Sequence, residues 1–148
     1  MKFLSLNCRG LASTRKKLTL KRMIEVQSPK VILLQETMGK EMEVEFLLSS
    51  LLPLYSFMAQ SVNGHSGGLA IGWKNSSIWC TNSWGSSFRL GSQLYWEETN
   101  VTLTIVNIYW PYSNRSELWD SFRKYGLIKE QKLIIGGDLN FTLGAHEI

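Results

Sequence analysis

The feature that most constrains the fold is a short apolar run, Val31-Ile32-Leu33-Leu34, which begins soon after Pro29 and is followed by Gln35-Glu36. A run of this length without polar alternation is typical of a strand buried on both faces. A second run, Lys132 to Ile135, ends at Gly136-Gly137-Asp138 and predicts another buried strand. Strands of this kind favour a layered α/β architecture.

Helical and strand patterns alternate first, and a series of consecutive strands follows. The predicted helices are 13–27, with Ser13 as N-cap and Leu20, Met23 and Ile24 on one face; 40–52, with Met42, Phe46 and Leu47; and 114–125, with Leu118, Trp119 and Phe122. The predicted strands are 2–8, 30–35, 55–60, 68–73, 78–82, 94–97, 101–109 and 132–135. Stretches rich in glycine and serine at 61–68 and 83–92 predict loops. This order predicts one α/β domain over residues 1–148, with a largely antiparallel middle.

Composition excludes several classes of protein. With 44% hydrophobic and 19% charged residues, the 148-residue chain is unlike a disordered tail. No run approaches the roughly 18 apolar residues of a membrane-spanning helix, so we expect no membrane partner. The N-terminal apolar run is too short for a secretory signal. Cys8 and Cys80 match neither a disulfide framework nor a zinc site with the two histidines. We therefore expect an intracellular, unsecreted protein with reduced thiols.

Positive charge is concentrated at the N-terminus. Eight of the sixteen Lys and Arg residues lie within residues 1–30, beside a single acid, Glu25. Such a block indicates either an anionic partner, such as a nucleic acid, or an ordinary solvated helix face. Within it, Arg15, Lys16 and Lys17 are the candidates for contact with DNA phosphates. The sequence leaves open on which side of the molecule they lie.

The sequence contains six tryptophans. Trp73, Trp79 and Trp119 fall in predicted strands or on a helix face, so we expect them in the core. Trp110 follows a candidate site residue and is a candidate nucleic-acid contact, because aromatic rings stack on bases beside basic grooves. Packing of Trp110 against Pro111 and Tyr112 explains it equally well.

Polar residues suited to chemistry stand at the ends of the apolar strands. Asn7 ends the first, Glu36 follows the second, Tyr109 ends the long alternating strand, and Asp138 and Asn140 follow the last. In layered α/β folds, sites collect where strand ends meet over a crevice. Two carboxylates with amides and a phenol suit Mg²⁺, which takes few carboxylates and keeps waters for a phosphate substrate. Singly, each residue also fits an ordinary turn, strand exit or strand aromatic.

Five segments together resemble the endonuclease/exonuclease/phosphatase superfamily. They are Ser5-Leu6-Asn7-Cys8-Arg9-Gly10-Leu11, Gln35-Glu36-Thr37, Ser66-Gly67-Gly68-Leu69-Ala70, Asn107-Ile108-Tyr109-Trp110-Pro111 and Gly136-Gly137-Asp138-Leu139-Asn140. Each motif is weak alone, but five in family order are specific. The first two are most similar to plant LINE-type (non-LTR) retrotransposon endonuclease domains. The resemblance covers about residues 1–142.

The resemblance implies a four-layer α/β sandwich of the deoxyribonuclease-I-like type and Mg²⁺-dependent hydrolysis of phosphodiesters, with Mn²⁺ able to substitute. By position, Glu36 resembles the main metal ligand, with Asn7 beside it. Asp138 resembles the residue that orients or deprotonates the attacking water. Asn140 and Tyr109 resemble donors to the scissile phosphate or to the developing charge. Such chemistry needs an aligned nucleophile and positive charge over the phosphate oxygens.

The same resemblance implies a DNA partner and nicking that leaves a 3′-hydroxyl. A reverse transcriptase region of a parent polyprotein would extend that end, and the site of action would be the nucleus. Two other functions stay open. One is a phosphatase or phosphodiesterase for a small phosphorylated molecule, and the other is a non-catalytic relic that binds nucleic acid.

The family pattern continues into further strands and a Ser-Asp-His signature that is not matched within residues 1–148. His146 lies only six residues after Asn140, too close for the distant catalytic histidine, and His65 matches no catalytic position. We expect both to be ordinary exposed histidines. We also expect a sandwich that is incomplete at its C-terminus, with weak or no hydrolysis, an unpaired sheet edge and marginal stability.

Overall fold

The computed structural model describes residues 1–61, 67–110, 115–124, 126, 129 and 132–140. Its helices and strands are β1 (Phe3–Asn7), α1 (Thr14–Gln27), β2 (Val31–Gln35), α2 (Glu41–Leu51), β3 (Tyr55–Gln60), β4 (Leu69–Lys74), β5 (Ile78–Ser86), β6 (Arg89–Trp96), β7 (Val101–Tyr109), α3 (Arg115–Lys124) and β8 (Leu133–Asp138). None of these helices is long and apolar enough to cross a bilayer.

The described strands form two mixed sheets of four. Sheet 1 has the order β1-β2-β4-β3, and sheet 2 has the order β5-β6-β7-β8. One edge pair in each sheet is parallel, β1 with β2 and β7 with β8. The other pairs are antiparallel. Parallel neighbours need a crossover connection, which α1 supplies in sheet 1 and the segment containing α3 supplies in sheet 2.

Three apolar clusters fill the interfaces between four layers. The first lies between sheet 1 and the helices α1 and α2. The second lies between the two sheets, and the third lies between sheet 2 and α3. This helix–sheet–sheet–helix order confirms the predicted α/β sandwich.

Strand β2 shows why the apolar run constrains the fold. Val31 and Leu33 face the other sheet, whereas Ile32 and Leu34 face the helices. All four side chains are buried. A strand covered on both faces has no polar side to alternate with, as the sequence predicts.

Helix α2 has the predicted position but a different buried face. The spacing of Met42, Phe46 and Leu47 predicts that they form its core face, but Met42 and Phe46 point to solvent and Leu47 is half-buried. Val44 and Leu48 contact the sheet instead. Both faces carry apolar residues at helical spacing, so periodicity alone selects the wrong one.

The segment 83–92 is not a loop. It forms the end of β5, a two-residue turn at Ser87-Phe88 and the first half of β6, and the two strands pair along their length with a bulge between Cys80 and Asn82. Small residues fit here because Trp84 lies against Gly91, where an added Cβ would come within 2.2 Å of the indole ring. The predicted loop at 61–68 falls mainly outside the described residues.

Two tryptophans expected in the core are not buried. Trp79 on β5 and Trp119 on α3 are exposed, whereas Trp73 is half-buried against the cluster between the sheets. On α3, Leu118 and Phe122 are buried as predicted. At the start of α1, Ser13 has the extended backbone of an N-cap but makes no side-chain capping bond. The predicted helix ends at Asn114 and Tyr125 lie outside the described residues.

The two faces of α2 make a direct test of this packing. We expect Leu48→Ala to lower the free energy of unfolding by about 2–5 kcal/mol, because Leu48 is 0% exposed and its loss leaves a cavity. Phe46→Ala removes a larger side chain that is 77% exposed and should change it by no more than about 0.5 kcal/mol. Urea unfolding followed by circular dichroism measures both, and a larger loss for Phe46→Ala would contradict the assigned face.

Candidate active site

The five residues predicted at strand ends lie together at one end of the sandwich. Asn7 ends β1 opposite Gln35, and Glu36 follows directly after β2. Tyr109 ends β7 opposite Asp138, the last residue of β8. Because both pairs are parallel, each sheet brings the C-terminal ends of two strands to the same edge. The two parallel pairs lie face to face, with Asn140 two residues beyond β8.

Asn7 joins the carboxylates of the two sheets. Its Nδ2 group donates to Glu36 Oε1 at 2.8 Å and to Asp138 Oδ2 at 2.9 Å. Its Oδ1 accepts a hydrogen bond from the backbone N–H of Arg9 at 3.1 Å. The NH₂ group of Asn7 therefore directs its partial positive charge at both carboxylates, which share this one donor group.

Tyr109 and Asn140 complete the cluster. Burial raises the pKa of the Tyr109 phenol, and its hydrogen bond to Glu36 together with the negative charge of that carboxylate raises it further. A hydrogen bond with Asn140 acts in the opposite direction. Asn140 also donates from Nδ2 to the Trp110 carbonyl at 2.7 Å, and its backbone N–H donates to Asp138 Oδ1 at 3.0 Å. The phenol is thus held as a neutral donor against the acids.

Backbone strain is concentrated here. Glu36 and Asn140 both have left-handed φ angles, 52° and 48°, and so do Arg9 and Met38 close by, at 47° and 51°. Side chains with a Cβ rarely adopt this region, and such residues persist only where the surroundings fix them. Strain of this kind is typical of functional sites.

Glycines allow the chain to approach closely at two positions near the acids. Gly137, at φ 134° beside Asp138, has no room for a Cβ, which would lie 1.9 Å from the Ile108 carbonyl oxygen. Gly68, at φ 96°, lies against the Thr37 hydroxyl, where a Cβ would come within 2.4 Å. Residues 136–138 are the last residues of β8, so this segment is a strand rather than a simple turn.

Sequence reasoning missed two buried amides behind the cluster. Gln35 Nε2 donates to Asn107 Oδ1 at 2.7 Å and to Ser5 Oγ at 3.2 Å. Asn107 Nδ2 donates to the carbonyls of Leu34 and Ala70, each at 2.9 Å. We call Gln35 and Asn107 the amide bridge, because it joins the two sheets. A sequence signal exists, since each amide directly follows a run of apolar residues, Val31 to Leu34 for Gln35 and Ile105-Val106 for Asn107.

The sequence of this chain matches a known protein family over nearly its whole length. A sequence model described as the Endonuclease/Exonuclease/phosphatase family matches residues 4–148. The chain belongs to this family. The comparison with curated proteins found no match.

Solved structures share the fold at low sequence identity. A D. rerio TDP2 complexed with a single-strand DNA product has 20% identity and a TM-score of 0.71, with 96% of this chain covering 61% of that one. The mannosyl-6-phosphatase Bt3783 of Bacteroides thetaiotaomicron has 12% identity and a TM-score of 0.73, covering 95% and 65%. ANGEL2, a 2′,3′-cyclic phosphatase, has 18% identity and a TM-score of 0.65, covering 86% and 44%. This chain spans less than two thirds of the length of each of these three relatives.

Enzymes of the endonuclease/exonuclease/phosphatase family generally use divalent metal ions, and the donor set here fits one. The described residues contain no cluster of three or more His, Cys, Asp or Glu side chains that could hold a metal ion. Two carboxylates within hydrogen-bond distance of one amide match the few protein oxygens that Mg²⁺ takes. Glu36 and Asp138, which both accept from Asn7 Nδ2, are the residues that would hold such a cation. Asn7 would take part only by turning its oxygen inward, since Nδ2 now faces the acids.

The basic N-terminal block partly borders this end of the molecule. A groove of about 460 Å³ runs from Asn7 and Cys8 along α1, and Arg15 and Lys16 line it. The first turn of α1 contains no acid. Lys17 does not line the groove. Arg15 and Lys16 therefore share a groove with Asn7, whereas Glu36 and Asp138 do not line it.

Trp110 is not available for base stacking. Its side chain is 7% exposed, packed with Val106, Ile108 and Phe122 beneath α3 and edge-on to Phe88 at 5.2 Å between ring centroids. An apolar setting between sheet and helix explains this tryptophan as core. Pro111 and Tyr112, the alternative packing partners predicted for Trp110, lie outside the described residues. His65 and His146 also lie outside them.

Cys8 gives a probe of this edge. Burial raises the pKa of its thiol to about 12, with Lys16 lowering it and Glu36 raising it further. Both cysteines are free, and Cys80 is exposed.

We expect iodoacetamide at pH 8 to alkylate Cys80 and to leave Cys8 largely unmodified. The thiolate is the reactive form, and at four pH units below its pKa only roughly one Cys8 in ten thousand carries it. Mass spectrometry of the folded chain, with Cys80→Ser as the control, measures this. Rapid labelling of Cys8 in the folded Cys80→Ser variant would show that the edge beside Asn7 is open.

Proposed function

We propose that these residues form part of a Mg²⁺-dependent phosphodiester hydrolase that nicks DNA, of the retrotransposon endonuclease type. The observation that carries the proposal is the single Asn7 amide held between Glu36 and Asp138, which come from different sheets. Two acids gathered around one donor position favour a bound cation. The family model supports the hydrolase class.

Each residue has a role that follows from its surroundings. The metal, when bound, would supply positive charge over the phosphate oxygens. Tyr109, held protonated, donates from its phenol to an oxygen of the phosphate. Asp138, whose Oδ1 is fixed by the Asn140 N–H, orients or deprotonates the attacking water. Asn140 has a strained backbone, and its side-chain Nδ2 group, which donates to the Trp110 carbonyl, also donates to the scissile phosphate.

The groove that Asn7 shares with α1 supports a DNA substrate. Arg15 and Lys16 place two positive charges along its wall, where we expect them to contact phosphates flanking the cleaved bond. A solved relative, D. rerio TDP2, is complexed with single-strand DNA. The motifs around Asn7 and Glu36 favour a LINE-type protein, with a reverse transcriptase region as partner and the nucleus as the site of action.

A plasmid assay tests the proposal. We expect the chain to nick supercoiled DNA slowly with Mg²⁺ or Mn²⁺ and not with EDTA. Glu36→Ala should lower the rate by about 100-fold or more, because the charge that holds the cation is lost. Glu43→Ala, which removes an exposed acid on α2, should leave the rate unchanged.

Other outcomes would favour the alternatives. Hydrolysis of p-nitrophenyl phosphate without any action on bis-p-nitrophenyl phosphate or DNA would indicate a phosphomonoesterase. Salt-sensitive DNA binding that ignores Mg²⁺, with no turnover at any enzyme concentration, would indicate a non-catalytic relic. Nicking that survives Glu36→Ala would contradict the assigned site.

The groove makes a separate prediction about binding. We expect Arg15→Gln to weaken single-stranded DNA binding and to reduce the slope of log affinity against log salt by about one, since one phosphate contact is lost. Lys124→Gln makes the same charge change at the exposed C-terminal end of α3 and should leave the slope unchanged. Fluorescence anisotropy over a salt series measures both, and equal slopes for the two variants would exclude the groove as a phosphate contact.

A further inference from the structure

The amide bridge is the strongest feature that the site chemistry does not use. Asn107 is 0% exposed and Gln35 is 1% exposed, in a layer whose buried side chains are mainly aliphatic. Burying two amides in such a layer is costly unless every group is paired. Here both Asn107 donor hydrogens, the Asn107 oxygen and the Gln35 amide nitrogen all have partners. An aliphatic pair would fill the space more simply, which points to a purpose beyond packing.

The position of the bridge indicates what that purpose is. Gln35 immediately precedes Glu36, and Asn107 lies two residues before Tyr109 on β7. Asn107 projects from sheet 2 and bonds to carbonyls on two strands of sheet 1, β2 and β4. Its neighbour Gln35 extends the contact to Ser5 on a third strand, β1. One side chain therefore sets the spacing of the sheets directly behind the strand ends that carry the acids.

The strain at Glu36 makes that spacing matter. A left-handed backbone at a glutamate relaxes unless its neighbours hold it. The Gln35 carbonyl accepts from the Cys8 N–H at 2.8 Å and the Glu36 carbonyl from the Gly10 N–H at 2.7 Å, which fixes the main chain on both sides. The Gln35 side chain adds a restraint that is anchored in the opposite sheet.

We propose that Gln35 and Asn107 are positioning residues, which hold Glu36 of one sheet at the distance from Asp138 and Tyr109 of the other that the site requires. The inference rests on the proposed function for its consequence in catalysis. Its geometric part concerns the Asn7 amide between the two carboxylates and stands by itself. Loss of the bridge lets the sheets shift, and Asn7 can then no longer reach both acids.

The test separates positioning from stability with a pair of variants. Asn107→Leu removes the 2.7 Å bond of the buried Gln35 amide and leaves it only the longer one to Ser5, so it should lower the melting temperature. Gln35→Met combined with Asn107→Leu replaces both amides by apolar groups of similar size and should recover part of that loss, because the incompletely paired Gln35 amide is gone. Leu48→Ala, in the distant cluster beneath α2, is the matched destabilised control.

Two measurements on folded protein report the geometry. The first is the side-chain ¹H–¹⁵N signal of Asn7, assigned through Asn7→Ala, whose shift and slow hydrogen exchange report its bonds to Glu36 and Asp138. The second is Mn²⁺ affinity by electron paramagnetic resonance. We expect both bridge variants to give a solvent-like Asn7 signal and roughly 10-fold weaker Mn²⁺ binding, the usual effect of losing an outer support. Leu48→Ala should keep both at wild-type values.

The outcomes are distinct. A double variant with recovered stability, a wild-type Asn7 signal and wild-type Mn²⁺ affinity would overturn the proposal and leave the bridge a packing device. If the wild-type chain neither binds Mn²⁺ nor nicks DNA, the proposed function fails, and the Asn7 signal alone decides the positioning role. Should Asn107→Leu not fold, Gln35→Met alone serves, because it keeps both Asn107 bonds to the strand carbonyls and removes only the Gln35 bonds to Asn107 and Ser5.

Discussion

One buried amide contact, Gln35 to Asn107, relates the two halves of the molecule to each other. Apolar packing between sheets is non-directional and tolerates small sliding, whereas hydrogen bonds of 2.7–2.9 Å do not. The contact lies one residue before Glu36 and two before Tyr109. A site assembled from two sheets needs such a registering element, since neither sheet by itself carries all of its residues.

The acids are held together by charge compensation rather than by deep burial. Asn7, Glu36 and Asp138 are all half-buried, so water reduces the repulsion between the carboxylates. The Asn7 amide adds two directed hydrogen bonds, and hydrogen bonds to charged acceptors are the stronger kind. The two carboxylates therefore make the position of this NH₂ group favourable for positive charge. A cation there would replace one compensating group by a stronger one.

Much of this arrangement could be predicted from sequence, for identifiable reasons. The apolar run of β2 allows only a doubly covered strand, and parallel pairs place residues after strands at a common edge, so Asn7, Glu36, Tyr109 and Asp138 were found. The wrong predictions concern features that depend on tertiary contacts. Phe46, Trp79 and Trp119 match the periodicity of a core, but which of two apolar faces turns inward depends on tertiary packing. Segment 83–92 is rich in small residues because a ring lies against Gly91, which no local pattern reveals.

The parallel edges explain why the candidate site lies where it does and why it is accessible. Within the described residues, β1 and β8 each pair on one side only, and these two edge strands contact each other across the sandwich. Asn7 and Asp138 therefore lie at the rim of the sandwich, and Asn7 also lines the groove along α1. An unpaired edge offers backbone groups to water or to another strand. The proposed phosphate would approach Glu36 and Asp138 from this rim, while the amide bridge that we propose as their support lies on the buried side, between the sheets.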